Sequence, residues 1–563
     1  MRREVSVVNK KVCSFPILFA LLALLIGTCA VVFPASAQAA PTSTGSITVS
    51  GTVARSYDAY QIFSANVVDG DSDAKIATDL AWASDAVRDV ALPVLHSAGM
   101  PKSQTTAQEA AEWLNTDSHL TSALSAQLAR SLQNSGAELA ALNAGTEAKL
   151  PCGYWLIVAD DDAIAQNEAG TAPIMALVGG SAVTVKPKAA TPKVAKHVLE
   201  DSTAAWQKAA DATVADDLYW RLSATVPAGL TAYDTYTVRF VDTMGAGLDP
   251  SKVAASMRVY VAAGADGGFD AVPTGKDGRA GTEPAKGWTD ITAQCATKVA
   301  ADSKTFTVRT GDLIAALGGA DAFTAGARVV AVYNAPLNSA CNHGIAKGNP
   351  NEVYLRYPRS PFADQSGDAG FTRTPSDDAC AYTWDLALTK RGSDGDKPLA
   401  GAVLSIADDR GRTLAADGTW DAEGKATVTT GEDGRVAVSG VDSGKLEVRE
   451  LKAPKGYTAF EGTRSATVKA EGLDVDQVAA AKPKLTITAE SPLRADSADG
   501  STGSLEASLI NTPTGTPPSI TTGGFMPSTG DMAMYAAAAA AVAGAALIVV
   551  ALLVKRGGGS HKE

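Results

Sequence analysis

Side chains able to do chemistry are thinly spread along this chain of 563 residues. Asp69, Asp71 and Asp73 alternate like the ligands of a calcium loop. However, Ala74 stands where an EF-hand turn needs glycine, and no glutamate closes the loop, so the three read as an acidic turn. The five histidines are scattered, and no glycine-rich loop is placed to cradle a phosphate. No Ser/His/Asp arrangement suggests itself, so neither an enzyme, a metal nor a cofactor is expected. Of six cysteines, Cys13 and Cys29 lie in the N-terminal apolar segment. The other four, Cys152, Cys295, Cys341 and Cys380, are too dispersed for a disulfide-dense framework, although one or two bridges would suit an extracellular compartment. Acidic residues outnumber basic ones, 61 to 49, and the net charge of −12 argues for solubility and against a nucleic-acid partner.

The two ends carry stronger signals. Arg2, Arg3, Lys10 and Lys11 precede an apolar run from Phe15 to Phe33 and the small residues Ala35 to Ala40. Those are the parts of a secretory signal peptide, placed at residues 1–39. At the other end Met532 to Val554 is an apolar run of 23 residues closed by Lys555, Arg556 and Lys562. It is long enough to cross a ~30 Å hydrocarbon core, with the basic tail on the cytoplasmic side. Immediately before it, Met526-Pro527-Ser528-Thr529-Gly530 resembles the LPxTG sorting signal of cell-wall-anchored proteins, with Met for Leu at the first position. The resemblance implies that a sortase cysteine attacks the Thr529–Gly530 bond while residues 526–563 are held in the membrane. The Thr529 carboxyl would then be joined to another amine, finally that of peptidoglycan. Residues 513–525, rich in Thr, Pro and Gly, would be an extended wall spacer.

Between the ends most segments alternate apolar and polar residues, as Ile47, Val49 and Val53 or Val329, Ala331 and Tyr333 do. Period-two alternation predicts half-buried strands. Helical spacing is confined to Thr105–Ala144, where Leu120, Leu124, Leu128 and Leu132 recur on one face. Proline-marked joints at Lys186 to Pro192 and the polar stretch Ser360–Asp378 divide the body into three units, 44–187, 192–360 and 380–512. Short alternating strands with Gly and Asp turns predict a mainly β protein of three tandem, immunoglobulin-like antiparallel sandwiches, the first with a helical insertion.

The third unit contains Leu386 to Arg391, Lys397 to Ala402 and Glu447-Val448-Arg449-Glu450-Leu451-Lys452-Ala453-Pro454-Lys455-Gly456-Tyr457. This resembles a collagen-adhesin B-type domain of Gram-positive surface proteins. Such a domain implies a self-generated isopeptide bond between Lys390 and Asn511, promoted by Glu450; Leu451 stands where the family usually has threonine. The second unit, from Val194 to Val198 through Tyr233 to Tyr236 and Asp242 to Gly348–Leu355, is similar to the middle domain of Gram-positive backbone pilins. That likeness implies a second trio of Lys196, Asp242 and either Asn351 or Asn349. In the first unit Tyr60 to Phe63 and Val183 to Lys188 resemble the N-terminal pilin domain and its pilin motif, with Lys186 where tyrosine is usual. The likeness gives Lys188 the role of polymerising lysine, with Lys186 and Lys193 as the nearest substitutes.

Strand phase provides an independent check, since residues i and i+2 share a face. Lys390 is in phase with Leu386 and Leu388, Glu450 with Leu446 and Val448, and Asn511 with Leu505, Ala507 and Leu509. Lys196 is likewise in phase with Val194 and Val198, Asp242 with Val238 and Phe240, and Asn351 with Val353, Leu355 and Tyr357. Six such residues pointing with apolar neighbours would cost several kcal/mol each if unpaired. Burial lowers a lysine pKa and raises that of a carboxyl, leaving a neutral amine beside a protonated acid that can polarise an amide carbonyl. The competing reading is a buried salt bridge or a snorkelling lysine. Taken together these features predict a pilus shaft subunit with sortase, identical subunits and peptidoglycan as partners, and host surface ligands as further candidates. The alternative is an anchored adhesin or basal pilin, which would be expected to carry an extra recognition domain.

Overall fold

The computed structural model describes residues 43–515 apart from 52–55, 72–73, 117–118, 188–190, 229, 265–286, 324–325 and 362. The signal peptide, Lys188, the wall spacer beyond Gly515, the Met526–Gly530 motif and the 532–554 span lie outside the described residues. Among those described, no helix is long and apolar enough to cross a membrane.

Among the described residues six sheets pair into three layered units. In the first, Thr44–Val49 sits between Glu147–Pro151 and Val183–Val185 in a small sheet. A second sheet is built on the long strand Ser56–Asp69 and its neighbour Gly153–Ala159. Three helices pack on this unit, Asp85–Ser97, Ala107–Asn115 and Ser122–Gln133. The expected leucine stripe is real, with Leu124, Leu128 and Leu132 all buried, but the helical region begins earlier than its periodicity suggests and ends sooner. Asp85–Ser97 was obscured by Pro93 and three valines, although Val87, Ala91 and Leu95 are buried at helical spacing and Ser84 caps the start. Ala140–Asn143, inside the expected helical stretch, is a strand.

The second unit faces a sheet containing Lys193–Glu200, Tyr219–Val226, Ala327–Asn334 and Arg258–Ala263 against one containing Arg239–Met244, Asn349–Pro358 and Thr305–Arg309. Phe371–Arg373 and Asp377–Tyr382 also pair with Asn349–Pro358. The last part of the polar stretch Ser360–Asp378 therefore supplies strands to this pair of sheets, which continues to Tyr382. Ala327–Asn334 is buried on both faces, not half-buried as its alternation suggests. Val329, Ala331 and Tyr333 face the main core, and Val330 and Val332 pack with Tyr260 and Trp288 on the other side.

In the third unit Trp384–Gly392 and Ser504–Pro513 belong to one sheet, and Val403–Ala407, Gly444–Lys452 and Thr463–Glu471 to the other. Its first and last strands run side by side and parallel, Lys390 opposite Leu509 and Gly392 opposite Asn511. Parallel pairs also join Thr44–Val49 to Val183–Val185 and Ala209–Asp211 to Asp377–Tyr382, so the sheets are mixed where purely antiparallel ones were expected. Alternation reports which face is buried but carries nothing about strand direction. The second and third units are joined by Asp211, whose Oδ2 accepts from Trp384 Nε1 at 2.6 Å, Ser443 N at 2.9 Å and Ser443 Oγ at 2.6 Å.

Candidate functional site: two buried lysine–carboxylate–asparagine clusters

Lys390 and Lys196 each end in a sealed cluster. In the third unit Lys390 and Asn511 come from the adjacent parallel strands, and Glu450 comes from Gly444–Lys452 in the facing sheet. Lys390 Nζ donates to Asn511 Oδ1 and lies 3.2 Å from Glu450 Oε1. Asn511 Nδ2 donates to both Glu450 oxygens, at 2.9 and 3.0 Å. The Phe460 N–H, at 3.1 Å, supplies Glu450 Oε2 with a further donor, and the Phe460 ring flanks the amine at 5.8 Å. The lysine and glutamate side chains have no exposure to solvent. Burial, only partly offset by Glu450, pulls the Lys390 ammonium down to about 8. The amine thus touches the amide it would attack, and a carboxylate touches both.

The second cluster is built across the two sheets. Lys196 and Tyr333 project from one, Asp242 and Asn351 from the other, where Asp242 lies opposite Val353 and Met244 opposite Asn351. All four residues are wholly buried. Lys196 Nζ donates to Asp242 Oδ2 and, at 2.9 Å, to the Tyr333 hydroxyl. That hydroxyl donates to Asp242 Oδ2 at 3.0 Å and accepts from Asn351 Nδ2 at 2.9 Å. Trp220 and Phe306 wall the site, the Lys196 amine lying 5.5 Å from the Trp220 ring. Burial draws the Lys196 ammonium down to about 8 and raises the Asp242 carboxyl, each change opposed by the partner's charge. The two shifts run in the directions that favour passing a proton from the amine to the acid.

Asn349 and Asn351 share the inward face, and both are buried. Asn349 is committed elsewhere: its Oδ1 accepts from Asn342 N, and its Nδ2 donates to the Asn342 and Ala381 carbonyls. Only Asn351 meets the cluster. Tyr333 is the member that sequence reasoning passed over. Its in-phase position with Val329 and Ala331 marked it as inward-facing, but an inward tyrosine reads as packing unless its hydroxyl partners are known.

Near the pilin motif, Thr184 and Lys186 are exposed and Val185 between them is buried. A further constellation went unseen in the sequence: Cys341 Sγ lies 3.5 Å from His343 Nε2, and His343 Nδ1 lies 2.7 Å from Asp385 Oδ1. Burial and the Asp385 charge push this thiol up, the opposite of what a nucleophilic cysteine needs. Cys152, Cys295, Cys341 and Cys380 are all free thiols.

Residues 385–482 match the SpaA family, described as a prealbumin-like fold domain. The chain is 30% identical over 143 residues to the trypsin-resistant surface T6 protein of Streptococcus pyogenes serotype M6, an alignment covering 24% of each chain. It therefore spans about a quarter of the length of that relative. Among solved structures it is similar to the T6 backbone pilin of serotype M6 Streptococcus pyogenes, with 16% identity, 84% of this chain and 98% of that one covered, and a TM-score of 0.43. The full-length major pilin SpaD from Corynebacterium diphtheriae gives 15% identity, 84% and 98% coverage, and a TM-score of 0.40.

The lysine shift makes a pH prediction. In an Asn511→Ala variant no cross-link can form and Lys390 remains a free amine. A lysine whose folded pKa is depressed from 10.5 to about 8 binds more protons unfolded than folded between those values, so stability rises with pH across that window. The melting temperature of the third unit in Asn511→Ala, measured against Lys390→Met, is expected to climb from pH 8 to pH 10.5. A difference that stays flat would mean that burial does not perturb the amine.

Proposed function

We propose that this chain is the shaft subunit of a cell-wall-anchored pilus of a Gram-positive bacterium, polymerised by sortase and internally cross-linked by two Lys–Asn isopeptide bonds. The observation that carries this reading is the third-unit cluster, where a buried amine touches an amide oxygen while one glutamate holds both partners. A buried ion pair is weak evidence of stability for its own sake, and this one has an asparagine set between its members. Neutral Lys390 attacks the Asn511 Cγ, Glu450 passes the proton, and ammonia leaves as the amide forms. Lys196, Asp242 and Asn351 would do the same in the second unit, with Asn351 preferred because Asn349 is committed to backbone partners.

Polymerisation and anchoring rest on the sequence: Met526 to Gly530 as the sortase signal, Thr529 as the acyl donor, and Lys188 as the acceptor in the next subunit. The trypsin-resistant surface T6 protein of Streptococcus pyogenes, matched over part of the chain, is by its name a surface protein, which fits export to the cell surface. Intact mass is the direct test. The protein should weigh two ammonia units less than its sequence after processing, and peptide mapping should join Lys390 to Asn511 and Lys196 to Asn351. A folded protein of full unmodified mass would return both lysines to the role of buried ion-pair members.

A further inference from the structure

The two clusters differ in a way that their shared chemistry does not explain. In the third unit the glutamate carboxylate reaches amine and amide together. Aspartate is shorter by one methylene, and Asp242 Oδ2 meets only Lys196 and Tyr333, while the Asn351 amide nitrogen meets Tyr333. The gap between acid and amide is occupied by one hydroxyl. It accepts from Lys196 Nζ and Asn351 Nδ2 and donates to Asp242, which uses its full hydrogen-bonding capacity.

We propose that Tyr333 is a catalytic residue of the second-unit cross-link, relaying a proton from Asp242 to the departing asparagine nitrogen. This rests on the isopeptide reading above. As Lys196 Nζ bonds to the Asn351 Cγ, the Cγ–Nδ2 bond breaks and Nδ2 needs one proton to leave as ammonia. The Tyr333 hydroxyl turns and supplies it, and is refilled from the protonated Asp242 carboxyl. Asp242 recovers its proton from Nζ, which sheds one on becoming an amide nitrogen. One amine and one primary amide become one secondary amide and ammonia, with Asp242 and Tyr333 unchanged. Burial and the neighbouring Asp242 hold the phenol well above its ordinary value, so it serves as a neutral relay and adds no charge to the sealed site.

The test follows both cross-linked peptides in the full chain at set times after synthesis, in the wild type and in Tyr333→Phe. Loss of a general acid predicts that the Lys196–Asn351 peptide appears roughly a hundredfold more slowly, while the Lys390–Asn511 peptide of the same molecules appears at the wild-type rate. If both form normally in Tyr333→Phe, the relay is wrong and the cross-link reading survives. If the wild type itself lacks the Lys196–Asn351 peptide, the underlying reading fails and takes the relay with it. Should Tyr333→Phe misfold, a ring-fluorinated tyrosine at position 333 keeps the shape and alters the hydroxyl acidity. A changed rate of second-unit cross-linking then supports the relay, and an unchanged rate overturns it.

Discussion

Replacing Glu450 by alanine is expected to leave the third unit folded, uncross-linked and much less stable. Among the described residues the carboxylate is the group that touches both Lys390 and Asn511, so its removal strands a buried amine beside an amide with nothing to move the proton. The closed loop spans 121 residues, and by analogy with a disulfide its closure stabilises by about 5 kcal/mol. For a unit of this size that corresponds to a fall in melting temperature on the order of 20 °C. The protein should gain the mass of one ammonia, and the second-unit cross-link should be untouched. If Glu450→Ala still loses two ammonia units, the carboxylate has no part in the reaction.

Replacing Lys188 by alanine is expected to abolish polymer. Wall extracts of the wild type on denaturing gels should show a high-mass ladder, each rung one subunit joined from Lys188 to Thr529 of its neighbour, and the variant should show monomer. The effect is all-or-none because each junction needs its own acceptor amine, and no weaker contact survives denaturant. Lys186, exposed and two residues earlier in the chain, and Lys193 are the residues to substitute next if a ladder remains. A ladder surviving the triple substitution would remove this segment from polymerisation altogether.

Six of the seven side chains of the two clusters were legible because a strand with apolar residues at every second position states which way its polar members point. Lys196, Asp242, Lys390, Glu450 and Asn511 all proved buried on that basis. The same rule could not separate Asn349 from Asn351, two residues apart on one face; only the partners Asn342 and Ala381 distinguish them. Tyr333 was hidden for a related reason, since phase fixes the direction of a side chain and says nothing of what the facing sheet presents to it. Strand direction was illegible throughout: the parallel pairing of Trp384–Gly392 with Ser504–Pro513 depends on how the intervening chain crosses between sheets. The first helix was lost to Pro93, whose disfavour inside helices outweighed three buried residues at the right spacing. The strands after Phe371 were read as a joint because their short, polar-flanked segments acquire a pattern only by pairing with Asn349–Pro358.

That parallel pairing bears on how far a fibre could stretch. The chain enters the third unit at the start of one strand and leaves from the end of the strand beside it, so a pull on the two termini slides the strands past each other and loads their hydrogen bonds together. With Lys390 joined to Asn511, the pull crosses from one strand to the other near their far ends and bypasses everything between. The 121-residue separation represents slack of about 400 Å when drawn straight, none of which a cross-linked unit can release. A pilus of such subunits would be inextensible in this unit until a covalent bond broke, whereas one built from the Glu450→Ala variant could lengthen by that amount at every subunit.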